Sequence, residues 1–319
     1  MKRQIFHSIA LVILSFITVK HIQKAGIDHY RLFQTQSVQH SGFYLFNSPT
    51  SIHHLPFELR EVSGLTDYTT TQIACIQDEA GIIFIYDLEK DSIISQFNFS
   101  RFGDYEGLTR VQTTFFALRS DATLFEISAP YDSLSVRSEA LNLTSWDHEG
   151  LCFDERLNRL LIAPKSKMGK GAEFKDIRAI YAYDLVSKTL GEKPILTINL
   201  NEIESFAKSH QLSLPMKAGR IGSDSLSALK FMPSSLAVHP ITDEIYIISA
   251  VDQTLVVYSK SGNLLNYVRL NPKIFNKPEG ITFLSDGTLL VTNEGQMGTP
   301  SLLTFSWKTS DNRTRNNKN

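Results

Sequence analysis

The chain has 319 residues, with 32 lysines and arginines against 33 aspartates and glutamates, so its formal net charge is −1. This balance excludes a strongly basic nucleic-acid-binding protein, and an apolar fraction of 42% excludes a wholly disordered chain. Two cysteines, Cys75 and Cys152, are too few for a disulfide scaffold, so the fold must depend on its hydrophobic core. A disulfide between them is chemically allowed outside the cytoplasm, but their spacing does not require one.

The N-terminal segment has the pattern of an export signal. Met1-Lys2-Arg3 is followed by a mostly apolar run over residues 5–19, which ends at Lys20. An Ala-x-Ala cleavage site does not follow, so residues 1–24 are predicted to be either a signal peptide or an N-terminal membrane anchor, with a linker at 25–40. Either interpretation places the rest of the chain in the periplasm or cell envelope, with membrane contact only through this segment. An amphipathic helix is the third alternative.

A short motif recurs along the body of the chain. Four copies share a glycine followed by Leu or Ile, and a weaker copy lacks the glycine; they are Val62–Thr66, Tyr105–Thr109, His148–Cys152, Pro278–Thr282 and the weaker Ser234–Val238. Counted at the second residue of each copy, the positions are 63, 106, 149, 235 and 279, so the steps are 43, 43, 86 and 44. Apolar runs rich in β-branched and aromatic residues, bounded by turn residues, follow each copy.

This pattern predicts an all-β fold, a β-propeller of four-stranded antiparallel blades over residues 41–307. We expect five blades, with six as the alternative, because the step of 86 fits one blade with insertions or hides a degenerate blade. Within that step, residues 201–210 predict a short helix with Asn201 as its N-cap. The last blade lacks an outer strand, which the region 41–60 could supply. Residues 308–319 form a polar tail.

The glutamates of the motif are candidate metal ligands. Glu106, Glu149 and Glu279 occupy the same position in three blades, so they should approach the axis of the ring at one height. Converging carboxylates are unfavourable unless a cation or positive side chains neutralise them. Oxygen-only ligands favour a hard cation, Ca²⁺ before Mg²⁺. The alternative is that these glutamates only brace adjacent blades through backbone hydrogen bonds.

A second polar set is predicted to surround the same channel mouth and to bind a small ligand. Its members follow the apolar strands after the motif; they are Asp78, Asp121, Lys165, Asp252 and Glu294. Ordinary turn chemistry is the simpler explanation for such residues. The sequence assigns no catalytic residue, since it contains no Gly-x-Ser-x-Gly, P-loop, His-Glu-x-x-His or Cys-x-x-Cys motif.

These motifs resemble the SdiA-regulated (YjiK-like) β-propeller proteins. The resemblance rests on Glu61–Leu65, the two Glu-Gly-Leu copies, and Pro278–Ile281 followed by Gly287–Glu294, and it extends over residues 40–307. It implies an exported or anchored bacterial propeller with a metal, calcium in some members. The chain departs from the pattern at Ser234–Leu236, where the glycine is missing, and in the long insertion before it.

Three functions remain open from the sequence. The first is a non-enzymatic exported binding module with a calcium and small-ligand site at the channel, whose partner is a small molecule, a glycan or a protein and not nucleic acid. The second is a calcium-dependent hydrolase related to phosphoesterases or lactonases, in which the metal would polarise an ester or phosphoryl oxygen. The third is a metal-free protein-interaction propeller.

Overall fold

A computed structural model of the chain describes residues 42–128, 133–143, 145, 147–217 and 226–309. The predicted signal or anchor at 1–24, the linker at 25–40 and tail residues 310–319 lie outside the described residues. Contacts divide the chain into two units, Tyr44–Lys308 and a second unit made of Met1–Phe43 with Thr309–Asn319. Among the described residues, no helix is both long enough and apolar enough to cross a bilayer.

Short elements precede the first blade. Strand β1 is Gly42–Phe43, strand β2 is Ser51–His54, and Phe57–Leu59 forms a 3-10 turn. The first two blades are regular four-stranded antiparallel sheets, whose strands are β3 (Val62–Asp67), β4 (Gln72–Gln77), β5 (Ile82–Asp87), β6 (Ser92–Asn98), β7 (Tyr105–Val111), β8 (Thr114–Arg119), β9 (Thr123–Ser128) and β10 (Ser135–Ala140).

The third blade carries the insertions. Its strands are β11 (His148–Asp154), β12 (Arg159–Pro164), β13 (Ile177–Asp184), β14 (Thr189–Leu190) and β15 (Leu196–Asn199), and a 3-10 turn at Glu155–Leu157 separates the first two. Both β14 and β15 pair with β13, so the outer strand of this blade is split into two pieces. Helix α1 (Leu200–Ser209) and the small pair β16 (Met216–Lys217) and β17 (Leu226–Ser227) follow.

The fourth and fifth blades complete the ring. Their strands are β18 (Ser235–Val238), β19 (Ile245–Ser249), β20 (Thr254–Tyr258), β21 (Leu264–Arg269), β22 (Pro278–Phe283), β23 (Leu289–Asn293) and β24 (Ser301–Phe305), and β25 (Lys308–Thr309) follows. The outermost strand of the fifth blade is β2, which pairs with β24 in the register Ser51 to Thr304. The innermost strands β3, β7, β11, β18 and β22 each contact the next around the ring. The five-bladed propeller and its closure by the 41–60 region are thereby confirmed.

Helix α1 begins one residue earlier than the predicted range of 201–210, and its N-cap lies two residues earlier than predicted. Its N-cap is Asn199, whose side-chain oxygen accepts a hydrogen bond from the Asn201 backbone N–H at 2.9 Å. The prediction of Asn201 as the N-cap was therefore wrong. Leu200, Ile203 and Ala207 on one face of the helix are buried in the core between the third and fourth blades.

The core is divided among the interfaces of the ring. Each of the five hydrophobic clusters lies between two adjacent blades, such as Ile76 and Ile85 of the first blade with Phe115 and Ile127 of the second. Cys75 and Cys152 are free, buried thiols, and they lie in different clusters. Burial raises the pKa of the Cys75 thiol to about 12, so both cysteines serve as core residues.

The motif glycines allow the innermost strands to approach closely. A Cβ atom on Gly107 would lie 2.6 Å from Leu151 Cβ and 2.8 Å from the Glu149 carbonyl oxygen in the next blade. Gly150 meets Leu236 in the same way, at 2.6 Å. The repeated contact between the glycine of one blade and the leucine of the next sets the spacing of the ring around its axis.

These contacts also correct the register of the fourth motif copy. Because Leu236 receives Gly150, it corresponds to the leucine of the other copies, so Ser235 stands at the glycine position and Ser234 at the glutamate position. Ser234 Oγ donates to the Pro278 carbonyl at 3.0 Å, as Ser63 Oγ donates to the Tyr105 carbonyl at 2.7 Å. The sequence alignment that placed Ser235 opposite Glu106 was therefore shifted by one residue.

We expect Gly107→Ala to lower the free energy of unfolding by about 1–3 kcal/mol, because its new methyl group meets backbone and Cβ atoms that cannot move independently. Chemical denaturation measures the change. Gly191→Ala is the matched control, since its Cβ would lie 3.4 Å from the nearest atom and should change stability by less than about 0.5 kcal/mol. Equal stability of the two variants would contradict this account of the motif glycines.

A buried histidine fixes the segment that leads into β2. His239 Nδ1 accepts hydrogen bonds from the backbone N–H groups of Ile241 and Thr242, at 3.1 and 3.2 Å. Nε2 therefore carries the proton and donates to Tyr44 Oη at 2.8 Å, while the tyrosine hydroxyl donates to the Gly287 carbonyl at 2.5 Å. Burial lowers the pKa of His239 to about 4.

The stability contributed by neutral His239 should be lost as the pH falls from about 6.5 toward 4, because the unfolded chain takes up the proton first. We expect the stability difference between wild type and His239→Gln to shrink by up to about 3 kcal/mol over this interval. Urea denaturation at pH 7, 6, 5 and 4.5 measures this difference. A difference that does not vary with pH would show that His239 is protonated at its ordinary pKa.

Candidate functional site

The motif glutamates lie at the start of the innermost strands, at one mouth of the central channel. In the corrected register the five blades contribute Ser63, Glu106, Glu149, Ser234 and Glu279 at equivalent positions. A β-bulge occurs at each of the three glutamates, since the register of β7, β11 and β22 shifts across that residue. Bulges re-aim side chains, and here each one lies at a carboxylate beside the axis.

Glu149 is the most deeply buried of these carboxylates, with 3% of its surface exposed. Lys165, at the end of β12, forms an ion pair with it and lies 3.9 Å from Asp147. Desolvation by burial, with the charge of Glu279 adding to it, raises the pKa of Glu149 to about 8. Burial by itself would lower the pKa of Lys165, but the adjacent Glu149 carboxylate raises it above its usual value. The lysine is therefore an internal counter-ion of the mouth.

Glu279 has its own lysine. Lys277 lies 3.3 Å from Glu279 and also pairs with Glu294 at the end of β23. Burial raises the pKa of Glu279, while the positive charges of Lys277 and Lys165 act against that rise. Two of the three predicted metal ligands are thus neutralised in part by lysines from the same mouth.

Glu106 is the exception. Of the described residues, none forms an ion pair or hydrogen bond with its carboxylate. Desolvation by burial, followed by repulsion from Glu149, Asp104 and Glu279, raises the pKa of Glu106 to about 10. Without an added cation, the raised pKa keeps this carboxyl group in its protonated form at neutral pH, because the ionised form would be repelled by the neighbouring carboxylates.

Among the described residues, one group of three carboxylates is close enough to hold a metal ion, and it includes a residue that the sequence analysis did not select. Carboxylate oxygens of Glu106, Asp147 and Glu149 lie within 4.8 Å of one another. Glu279 lies outside this group and acts on Glu149 electrostatically, and metal binding by Glu279 stays a prediction. All donors are carboxylate oxygens, which fits Ca²⁺ better than a transition metal.

The predicted ligand-binding residues divide into two classes. Asp78 belongs to the same mouth: burial raises its pKa to about 6, with the charges of Glu61 and Glu294 adding to the effect, and its Oδ1 is buried without a hydrogen-bond partner. Lys165 and Glu294 lie there as well, in the ion pairs described above. A cavity of about 200 Å³ between Lys165, Lys277 and Glu279 opens beside them.

Asp121 and Asp252 are engaged in local structure instead. Asp121 accepts two hydrogen bonds from the Arg119 guanidinium, at 3.0 and 2.7 Å, which together with Thr123 hold its pKa well below its usual range. Asp252 Oδ2 accepts the backbone N–H groups of Lys230 and Phe231, at 3.0 and 2.6 Å, and so anchors the end of the insertion. Ligand binding by these two residues stays a prediction.

A signal for the residues that were missed is present in the sequence. A charged residue stands two positions before the motif glutamate or serine in four blades, namely Glu61, Asp104, Asp147 and Lys277. Each of these residues directly precedes an innermost strand, and the interactions of Asp104, Asp147 and Lys277 with the motif glutamates place them at the same mouth. Extending the repeat by two residues upstream would have found them.

The raised pKa of Glu106 has a consequence for stability. Its carboxyl group ionises near pH 4.5 in the unfolded chain and near pH 10 in the fold, so the folded state holds the extra proton between these values and loses stability as the pH rises. In buffer with a chelator, we expect Glu106→Gln to be more stable than wild type, by a margin that grows by up to about 1 kcal/mol per pH unit above pH 5.

Thermal and urea denaturation from pH 5 to 9 measure this margin. Glu58→Gln is the control, because Glu58 is an exposed carboxylate in the 3-10 turn and is not among the charges that shift the pKa of Glu106. A Glu106→Gln variant that parallels wild type at every pH would mean that Glu106 is ionised in the folded protein.

Comparison with known proteins was made at the level of sequence and of structure. No protein-family model matches the chain, and no curated protein sequence matches it. Among solved structures, the glutaminyl cyclase of Myxococcus xanthus superposes with a TM-score of 0.52 at 11% identity, covering 83% of this chain and 97% of that chain.

Two further solved structures are similar at lower scores. A luciferin-regenerating enzyme gives a TM-score of 0.45 at 9% identity, covering 82% of this chain and 97% of that chain. A chain of a nidogen–laminin complex gives 0.44 at 12% identity, covering 73% and 72%. At these identities the likeness concerns the fold alone, and the resemblance to the SdiA-regulated family stays a prediction. The chain is a five-bladed β-propeller.

Proposed function

We propose that the protein is an exported, non-enzymatic binding propeller whose acidic channel mouth binds a divalent cation, Ca²⁺ in preference to Mg²⁺. The oxygens of Glu106, Asp147 and Glu149 that lie within 4.8 Å of one another are the observation that carries the proposal. The resemblance to the SdiA-regulated proteins supports the same cation. Bound there, the cation would neutralise the carboxylates and offer a positive charge to an oxygen atom of a small ligand.

The charge balance of the mouth supports a cation. The carboxylates whose charges act on one another there are Glu61, Asp78, Asp104, Glu106, Asp147, Glu149, Glu279 and Glu294. Lys165 and Lys277 oppose them with two positive charges. Since like charges so close together are unfavourable, an added divalent cation would relieve the remaining repulsion.

The two lysines also favour a second candidate, the metal-free propeller. Lys165 pairs with Glu149 and Lys277 with Glu279, so part of the neutralisation comes from the chain itself. The unpartnered Glu106 distinguishes the candidates. A metal-free mouth would keep Glu106 protonated, whereas a cation would hold it ionised and lower its pKa.

Calorimetric titration of chelator-treated protein with CaCl₂ and MgCl₂ tests the cation. We expect one Ca²⁺ per chain, a melting temperature that rises with Ca²⁺, and binding that strengthens as the pH rises from 5 to 9, because the ligands must lose protons. Glu106→Gln should weaken binding at least tenfold, and Glu58→Gln should leave it unchanged. Absence of heat and of stabilisation at millimolar Ca²⁺ would overturn the proposal in favour of the metal-free propeller.

Lys165→Met provides an independent test of the same site. Removal of the ammonium group beside Glu149 should strengthen Ca²⁺ binding about tenfold or more, since 1.4 kcal/mol of lost repulsion is a tenfold change. The same variant should be less stable than wild type in chelator, because Glu149 then lacks its counter-ion. Calcium-dependent turnover of esters, lactones or phosphoesters that Glu106→Gln abolishes would replace the binding module by the hydrolase alternative.

A further inference from the structure

The opposite mouth of the channel contains a second, larger cavity. It has a volume of about 520 Å³, within the range of about 300–1,000 Å³ that small-molecule pockets occupy. All five blades contribute to its wall through Thr66, Thr109, Cys152, Ala237 and Thr282, the residues three positions after the motif glutamate or serine. At about 3.3 Å per residue, these lie about 10 Å along the innermost strands from the acidic mouth.

One oxygen of a buried carboxylate beside this cavity has no hydrogen-bond partner among the described residues. Asp154, the last residue of β11, has 3% of its surface exposed and lines the cavity. Its Oδ2 accepts a hydrogen bond from Arg159 Nε at 2.9 Å, whereas its Oδ1 is buried without a partner. Because Oδ1 is also closed to solvent, a ligand in the cavity does not reach it, and Asp154 acts here through its ion pair with Arg159.

The charges around this cavity compensate one another. Arg156 lies 2.6 Å from Asp243, and Arg110 lies 3.8 Å from Asp67, its guanidinium also donating to the Asp67 carbonyl at 3.1 Å. Asp154 has Arg159 as described, and Lys260 lies 3.3 Å from Asp243. Glu155 lines the cavity as well. Four acidic side chains therefore face four basic ones around this cavity, which does not have the excess of negative charge found at the acidic mouth.

The lining combines hydroxyl groups with aromatic surface. Thr66, Thr109 and Thr282 are buried threonines in the wall, and Phe153 and Phe283 lie beside them. The hydroxyl groups can donate and accept hydrogen bonds, and the carboxylates can accept them. With the aromatic faces and the balanced charge, this lining matches a molecule that has many hydroxyl groups and apolar C–H faces.

We propose that this second mouth, here called the threonine mouth, binds a neutral polyhydroxylated molecule the size of a mono- or disaccharide. The threonine hydroxyls exchange hydrogen bonds with hydroxyls of the ligand. Phe153 and Phe283 contact its C–H face. The site is separate from the proposed cation site and does not depend on it.

Saturation-transfer difference NMR with glucose, galactose, N-acetylglucosamine, maltose and cellobiose tests the threonine mouth, followed by calorimetry with the strongest binder. We expect at least one of these sugars to bind with a dissociation constant in the millimolar range or below. Thr109→Val and Thr282→Val, which keep the side-chain shape and remove the hydroxyl, should each weaken it at least fivefold. Glu106→Gln, at the other mouth, is the control and should leave sugar binding unchanged.

Three outcomes would overturn the proposal: no saturation transfer from any of these sugars at 50 mM, binding that Thr109→Val leaves unaltered, or binding that Glu106→Gln weakens equally. Loss of Ca²⁺ binding in Asp154→Asn with sugar binding retained would show that the cavity takes a cation instead.

Discussion

At four of the five junctions the innermost strands of adjacent blades approach so closely that a Cβ atom has no room between them, and this contact governs the rest of the molecule. Gly107 faces Leu151 and Gly150 faces Leu236, while Ser235 stands at the equivalent position of the fourth blade. The contact brings the start of every innermost strand to the axis at the same height. It also leaves the five hydrophobic clusters between blades rather than in one common core.

The same close approach creates the electrostatic problem at the acidic mouth. Because Glu106, Glu149 and Glu279 precede the contact glycines, their carboxylates converge where water is scarce, and their pKa values rise. The two remaining blades avoid the problem with Ser63 and Ser234, whose hydroxyls brace the neighbouring blade through backbone carbonyls. Serines thus make the hydrogen bonds between blades that were first considered for the glutamates. The glutamates interact instead with lysines and, in our proposal, with the cation.

The two ends of the channel differ in charge although one repeat builds both. At the start of the innermost strands, acidic residues outnumber the two lysines. Three residues later the repeat places Thr66, Thr109 and Thr282 in the wall, and the charged groups there pair with each other, as Arg156 does with Asp243. The same ring of strands therefore has an acidic mouth at one end and a threonine mouth with balanced charge at the other. The two differ because positions three residues apart lie about 10 Å apart along the axis, beside different loops.

The periodic motif by itself predicted the β-propeller, five blades with six as the alternative, the closing strand from 41–60, and three glutamates near the axis. All of these follow from spacing along the chain, a local property that repeats every 43 residues or so. Only the tertiary structure decided that Asp147 joins Glu106 and Glu149 and that Lys165 pairs with Glu149. It likewise decided that, within the described part of the chain, Glu106 has no ion-pair partner and Asp154 Oδ1 has no hydrogen-bond donor. It also decided the register of Ser234 and the cap at Asn199, since both depend on contacts that a weak repeat does not encode. Contacts between side chains of different blades depend on the distances between those blades in the closed ring. The sequence of a single repeat does not contain these distances.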